Sequence, residues 1–505
     1  MKKQILKLSI LSLLSVGTLT ALHSCRDAID IVQPGEVNAE KLFTSLENIE
    51  GALNDVYNST DIVDAIEASA LISDEVKTNN ILSNVLFTHT FNSNNSYSSD
   101  LWLKYYGLIL NANRFLEGAQ KYTPTSSEQA QYNKAIAQAK VLRALAYTQL
   151  LTLFSEDLTQ DNGKGVIISN ATFLDANSKL PRSSNKEVEN VILQDLNEAY
   201  DALDQGSRYF VSKNFVNALK ARFYLYRGNH AQAKIFAEKV LTESGLSLTP
   251  AGNFTSAEVQ TQAWRNAFYR DNSNSPYRRI WSDADQGEVI FALSRPVRGV
   301  GSAVARIFAL NGTNFQGSVQ WFAGTNITKI ISETPGDIRR YTYIDPTSPL
   351  EANGGVQSGV IDKYPGKGIS PVRNDLKVAR LSEIYFILAE CATHEGNLAQ
   401  ARHYIQKVRE ARNYLGLAST PQYANAKEAW ADILKERRVE LAFEGHRYID
   451  LKRVAAKAGV TMDRVNADVH PIKLLNLPNG DYRYTLPIPL SELSANPNVV
   501  QNKGY

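Results

Sequence analysis

The hexapeptide Gly228-Asn229-His230-Ala231-Gln232-Ala233 returns far down the chain as Gly396-Asn397-Leu398-Ala399-Gln400-Ala401. In each copy an aromatic, leucine-rich stretch precedes the glycine, and a valine, Val240 or Val408, stands at the same distance beyond it. Glycine lets a chain reverse through a backbone region closed to other residues, and alanine lets two helices approach closely. That is the logic of tetratricopeptide-like helix pairs, which cannot bury their apolar faces alone and must stack on neighbours. The repeat therefore commits the chain to a mainly α, helical-repeat scaffold.

Helical apolar spacing supports this at Ala39–Tyr57, Asp100–Tyr122, Ser127–Leu153, Ser184–Leu203, Lys213–Ser244, Lys377–Leu415 and Lys427–Ala458. The block at Ser184 opens with Ser184-x-x-Glu187, a capping pattern that supplies acceptors to the free amides of a first turn. Between Leu246 and Arg373 the texture changes, as Gly, Asn, Ser and Thr accumulate and aromatics stand singly. A structureless insert of that size is unusual in a compact domain, so this stretch is expected to be functional or to contain short elements. The predicted organisation is one domain over 39–505. It has a helical frame at 39–245 and 374–476, a loop-rich ligand-binding lobe at about 246–373, and an irregular, proline-rich end at 477–505.

The first residues are a targeting segment. Met1-Lys2-Lys3 and Lys7 precede an apolar run from Leu8 to Leu22, a basic start and a core too short to span a bilayer comfortably. The run ends at Leu22-His23-Ser24-Cys25, a lipoprotein-type site in which His23 replaces the usual small residue. The expectation is a signal peptide at 1–24, acylation of Cys25, and a leader at 25–38 reaching from the lipid to the body. Several acyl chains on one cysteine hold a protein firmly to a membrane. The other cysteine, Cys391, lies in an apolar helical pattern and reads as a small buried residue, which leaves no disulfide framework. Loss of Lys2, Lys3 and Lys7 takes the net charge from +2 to −1, a balance that gives no reason to invoke nucleic acid.

Catalytic patterns are absent. The next histidine after His394-Glu395 is His403, which is not the one-turn spacing of zinc proteases. There is no Gly-x-Ser-x-Gly elbow and no phosphate-cradling Gly-x-x-x-x-Gly-Lys loop. His89, His230, His446 and His470 do not cluster. Asp283-x-Asp285 offers hard oxygens for calcium but lacks a full loop, so no cofactor is expected. A glycosidase carboxylate pair needs proximity in space and leaves no trace in spacing. Binding fits better, because a sugar ring stacks on an aromatic plane while neighbouring polar groups orient its hydroxyls. The lobe offers Trp264, Tyr269, Tyr277 and Trp281 with Arg278, Arg279 and Asp283 interleaved. A second cluster is Phe315, Trp321 and Phe322 with Asn311 and Asn314. For each ring the competing role is a small local core. Trp102 and Tyr106, on a helical face, read as packing residues.

The stretch Glu436-Arg437-Arg438-Val439-Glu440-Leu441-Ala442-Phe443-Glu444-Gly445-His446-Arg447-Tyr448-Ile449-Asp450-Leu451-Lys452-Arg453 closely resembles the signature of the SusD/RagB family of outer-membrane lipoproteins from Bacteroidota. Other matches follow in order: Trp102-x-x-x-Tyr106 with Asn111-Ala112-Asn113, Ala139-x-x-x-Arg143-Ala144 with Tyr147, and Glu383-Ile384-Tyr385 with Ala389-Glu390. Val408-Arg409-x-x-Arg412, Leu486-Pro487-Ile488-Pro489, Asn496-Pro497 and Gln501-Asn502-x-Gly504-Tyr505 complete them. One departure is Ser155-Glu156-Asp157-Leu158, where the family usually has a Gly-Asp-x-Pro turn. Within the signature, Arg437 to Glu440 and Glu444 to Arg447 have the i to i+3 spacing that brings opposite charges together on a helix. Val439, Ala442 and Phe443 form an apolar stripe, and Gly445 permits another backbone to pass close by. Glu436, Arg437, Glu440, Glu444, Arg447 and Asp450 read as a semi-buried ion network fixing helix packing, and not as a catalytic cluster.

The resemblance implies a SusD-like fold with four tetratricopeptide-like units and a ligand-binding lobe. It implies a non-enzymatic protein at the cell surface, lipid-anchored in the outer membrane, that hands a nutrient to a SusC-type TonB-dependent transporter. An oligosaccharide is the expected ligand. A peptide, as in the RagB branch, and a surface glycosidase are the alternatives.

Overall fold

The computed structural model describes residues 42–78, 84–173, 177–270, 272–299, 301–308, 319, 321–345, 359–469, 473 and 475–505. Cys25 and the leader lie outside them, as do Asn311, Asn314, Phe315 and His470. Among the described residues no helix is long and apolar enough to cross a membrane.

The frame begins with α1 (Leu46–Ser59) and α2 (Val63–Ile72), followed by strand β1 (Val76–Thr78). Helices α3 (Ser96–Ala119), α4 (Gln129–Phe154), α5 (Asn185–Ala199), α6 (Lys213–Tyr226) and α7 (His230–Glu243) come next. The lobe contributes α8 (Gln262–Phe268), α9 (Pro276–Trp281), β2 (Val289–Leu293), β3 (Trp321–Ala323), α10 (Thr325–Glu333), α11 (Arg339–Tyr343) and β4 (Gly359–Val360). After β5 (Leu376–Arg380) the frame resumes with α12 (Leu381–His394), α13 (Leu398–Arg412), α14 (Ala426–Glu440) and α15 (Arg447–Ala458). Helix pairs α3–α4, α6–α7, α12–α13 and α14–α15 pack side by side, α5 leans on α4, and α12 joins two pairs by packing on α7.

The hexapeptide repeat is reproduced in geometry. Gly228 and Gly396 hold φ of 76° and 79°, and the following Asn229 and Asn397 cap α7 and α13 by accepting hydrogen bonds from Gln232 N and Gln400 N. Ala233, Ala401, Val240 and Val408 are fully buried where the helices meet. His230 and His394 stack between the two turns with ring centroids 3.9 Å apart. The capping box at Ser184 is also present, with Glu187 reaching back to the Ser184 amide at 2.7 Å.

Two expectations are corrected. The block from Lys377 is not helical at its start: β5 runs to Arg380 and pairs antiparallel with β2, stitching lobe to frame immediately before α12. All five β5 residues are buried, so the run has no polar face to betray its period of two. The signature is not one helix either. α14 stops at Glu440, Phe443 takes φ 63° and Gly445 takes φ 89°, and α15 starts at Arg447. A Cβ on Gly445 would lie 3.4 Å from the Ile66 Cα, so α2 passes the glycine at contact distance. Strands β1, β3 and β4 form a second small sheet, and one continuous apolar core runs from Ile49 to Val499 through frame and lobe.

Candidate ligand cleft

The aromatic residues singled out in the lobe are mostly internal. Tyr277 and Trp281 are 0% exposed, Trp264 and Trp321 are buried, and Tyr269 is half-buried with its hydroxyl donating to Tyr341 O at 2.7 Å. Trp264 stacks on Phe268 at 4.6 Å, Trp321 packs on Phe87 at 4.9 Å, and Trp281 meets Tyr343 and Tyr364 edge to face. Phe322, partly exposed, shares β3 with Trp321 and pairs there with Lys77 of β1. Arg278 is buried under Tyr269 and bonded to Asp362 at 2.9 Å. These rings form a local core and offer no open platform. The reason is volume: short helices and short strands supply little apolar surface, so wide rings fill the space between lobe and frame. Asp283, at φ 61°, gives its carboxylate to Lys377, Asn374 Nδ2 and the Asp375 amide, with Lys367 at 3.8 Å, so donors and two cations surround it.

The same rings are fastened to the signature. Tyr343 donates to Glu440 O at 2.9 Å, Tyr364 donates to Phe443 O at 2.9 Å, and Lys363 lies 4.2 Å from the Trp281 ring centroid. The charge pairs expected from i to i+3 spacing do not form: Arg437 and Glu440 share α14 but turn to different partners, and Glu444 lies in the turn before α15 begins at Arg447. Glu440 accepts from Arg380, Arg412 and Arg339 at 2.9, 2.8 and 3.2 Å, and Glu444 from Lys363 and Arg380 at 2.7 Å each. Arg437 bonds Asp450 at 2.7 Å, Arg447 bonds Asp74 at 2.7 Å, and Glu436 is held by Arg339 and Arg409. Burial pushes the Glu440 carboxyl up, but Arg412 and Arg380 outweigh it and hold it well below the carboxylate range. This is a closed network at the junction of lobe and frame, with every member matched.

A different surface brings together features far apart in the chain. The loop Glu156–Thr159, the end of α6 with Tyr226, the repeat turn Gly228 to His230, the outer face of α15 and the stretch 480–485 with Lys503 enclose a cleft of about 660 Å³. Each wall has a local cause. Asp157 caps its own loop by accepting from Thr159 N and Oγ1 at 2.9 and 2.7 Å. The C-terminal tail is clipped down where Lys503 N donates to Glu156 Oε1 at 2.9 Å. α15 presents Lys452, Arg453 and Lys457 on one side, with Arg453 anchored to Glu390 at 2.9 Å and lying over the Tyr226 ring. Tyr482 is 42% exposed at the rim, its ring steadied edge-on by Tyr505 at 4.9 Å.

Charge in this cleft is handled unlike charge at the junction. Lys452 Nζ donates to Ser155 O at 2.6 Å and to Thr485 Oγ1 at 2.9 Å, both neutral acceptors. Burial pulls the ammonium down to about 7, and Asp157 and Glu156 offset it only in part. Burial raises the Asp157 carboxyl, but the Thr159 hydroxyl and amide hold it below the usual range, and Arg483 does the same for Asp481. A second groove of about 720 Å³ over α3, α4 and α5 is larger, yet its charges satisfy one another. There Arg143 grips Asp195 with two bonds of 2.7–2.8 Å, and Lys140 bonds Glu198 at 2.6 Å.

None of the cleft residues carries a binding signal in the sequence, although the signature, the repeat turn and the Ser155–Leu158 departure all contribute to the cleft walls. No signal in the chain shows that residues near 157, 228, 452 and 482 meet.

Residues 308–505 match a family profile described as the SusD family, and residues 28–225 match one described as starch-binding associating with the outer membrane. A SusD-like protein of Formosa agariphila is 24% identical, the alignment covering 91% of this chain and 95% of that one. A SusD superfamily structure from Bacteroides thetaiotaomicron superposes with a TM-score of 0.72 at 22% identity, covering 91% of this chain and all of the other. A SusD-like carbohydrate binding protein from Bacteroides vulgatus gives 0.66 at 19%, covering 90% and 98%. The helix pairs, the signature turn and these likenesses agree, and the chain belongs to the SusD/RagB family.

Proposed function

We propose that this chain is a binding protein without catalytic activity, which captures an oligosaccharide in the α15 cleft and passes it to a SusC-type TonB-dependent transporter. On this reading the lipid on Cys25 holds it to the outer membrane, exposed at the cell surface. The observation that carries the proposal is the cleft itself. The half-exposed Tyr482 ring, with Gly504 and the Arg483 guanidinium packed on it, offers apolar aromatic surface to a sugar ring at the rim of a pocket of suitable volume, which holds hydroxyl, carboxylate and ammonium groups for sugar hydroxyls. The family description as starch-binding, and the carbohydrate-binding description of the Bacteroides vulgatus protein, support a glycan. Hydrolysis needs a carboxylic acid held protonated, whereas Asp157 and Asp481 are both held ionised.

The test is calorimetry of the acyl-free mature protein with a panel of glycan oligomers, beside Tyr482→Ala. Wild type should bind at least one glycan without releasing new reducing ends, and the variant should bind it about tenfold more weakly, the scale of one lost stacking contact. Unchanged affinity in the variant would remove the cleft from the account. Turnover would replace binding with hydrolysis, and retention of peptides alone would transfer the reading to the RagB branch.

A further inference from the structure

Lys452 carries a charge that neutral sugar hydroxyls leave unmatched. Its two hydrogen bonds go to a carbonyl and a hydroxyl, and no carboxylate lies within ion-pair distance among the described residues. Lys457, also from α15, and Lys503 from the tail line the cleft as well, without an ion-pair partner there among the described residues. Arg453 is already committed to Glu390 and Asp450, although its Nε–H has no acceptor among the described residues. The acids that face Lys452 are Asp157 and Glu156 from the loop and Asp481 from the tail. Asp157 is occupied by Thr159, Glu156 by the Lys503 amide and Lys164, and Asp481 by Arg483. His230 and the tyrosines 226, 482 and 484 complete the titratable groups around it.

An ammonium drawn out of water without a counter-charge costs free energy: the fully buried Lys363 meets that cost by bonding Glu444, and Lys220 by donating to Asn197 Oδ1 beside the Tyr200 and Phe236 rings, whereas the half-buried Lys452 stands at an open cleft. The natural complement to three ammonium groups converging on one cleft is an anion brought by the ligand. We infer that the oligosaccharide taken by this cleft is acidic, and that its carboxylate or sulfate group is received by Lys452 and Lys457. This rests on the saccharide reading above and names the substrate class of that site. When the anion enters, Lys452 regains a full charge that burial otherwise removes near neutral pH, so binding takes up a proton and weakens as pH rises.

The experiment compares maltotriose with the same trisaccharide sulfated at, or oxidised to the uronate at, its terminal C6 position. Calorimetry is run on the mature protein, Lys452→Met and Lys457→Met, and the Lys452 ammonium is followed by NMR titration with free glucuronate and inorganic sulfate. At least one acidic form should bind about tenfold or more tighter than maltotriose, with the advantage lost in Lys452→Met, reduced in Lys457→Met, and diminished by salt. Free anion should move the Lys452 titration to higher pH, and the better of uronate and sulfate identifies the source. Equal binding of all three sugars in wild type and variants would overturn the acidic inference and leave the saccharide reading standing. A Lys452 titration that answers to free anion while no sugar binds would keep the anion site and overturn the saccharide reading. No response to any probe would overturn both.

Discussion

The signature buries charge on two sides and treats it in opposite ways. Toward the lobe, Glu440, Glu444 and Glu288 sit among Arg380, Arg412, Arg339 and Lys363, and the ion pairs close on one another. Toward the cleft, Lys452 is enclosed with only neutral partners. The first arrangement has nothing left to offer a ligand, since each charge is matched and the rings above it are covered. The second retains uncancelled charge beside an opening. Burial alone therefore does not mark a functional group; burial without a matched counter-charge, at a surface a solute can reach, does.

The junction should be the easier of the two to break. Glu440→Gln leaves three guanidinium groups without their shared acid, and removal of one partner from a buried pair costs about 3–5 kcal/mol. A large drop in the urea midpoint, or failure to fold, is expected; a shift like that of a surface substitution would show the network to be dispensable. Trp281→Ala should cost a similar amount, about 3–5 kcal/mol by loss of a buried ring. It should act through stability, with glycan affinity at saturating folded fraction unchanged, because the ring is closed to solvent.

The pH dependence separates the regions by sign. At the junction, burial would raise the Asp450 carboxyl, yet Arg437 and Arg453 hold it at about 2, below an unfolded value near 4. Its contribution is complete above the unfolded value and is lost as pH falls toward 2, worth about 2 kcal/mol. Lys452, lowered by burial to about 7 from an unfolded value near 10.4, works the other way. The native state binds fewer protons than the unfolded state between those values, so this group lets stability rise with pH across that window. Urea midpoints from pH 2 to 5 in wild type and Asp450→Asn test the first slope, and midpoints from pH 7 to 10 in wild type and Lys452→Met test the second.

Gly445 stands between the two regions. Gly445→Ala places a Cβ against the Ile66 backbone at φ 89°, a conformation alanine adopts only under strain, and should cost about 1–2 kcal/mol. Here the sequence was readable, because a glycine inside an otherwise helical charge pattern has few uses other than a close approach. The helix pairs were readable too: Gly228 and Gly396 each announce a turn, and Ser184 with Glu187 announces a cap, all from contacts a few residues long. What stayed hidden depends on distant contacts. Phe443 at positive φ gives no local sign, yet it lies in the turn between α14 and α15, from which Glu444 reaches Arg380 and not Arg447. Trp281 reads alike as a platform or a core residue until its neighbours Tyr343, Tyr364 and Lys363 are in place. The cleft exists only because the tail folds back onto the loop at Glu156.

The smallest predicted effect on stability is the one that most sharpens the contrast. Lys452→Met keeps the length of the side chain and removes a charge that burial disfavours, while Ser155 O and Thr485 Oγ1 lose a donor. The relief of desolvation and the lost hydrogen bonds oppose each other, each about 1–3 kcal/mol, so the net change should be a stabilisation of no more than about 1 kcal/mol. That sign is opposite to the one expected for Glu440→Gln, in the same signature. A rise of the urea midpoint at pH 6, where Lys452 is charged, that vanishes or reverses at pH 10, where it is neutral in the folded state and only the lost hydrogen bonds count, would locate the gain in the ammonium and not in packing. A clear loss of stability at pH 6 would mean that Lys452 holds the tail and loop together, and would place it with the junction residues as a structural group.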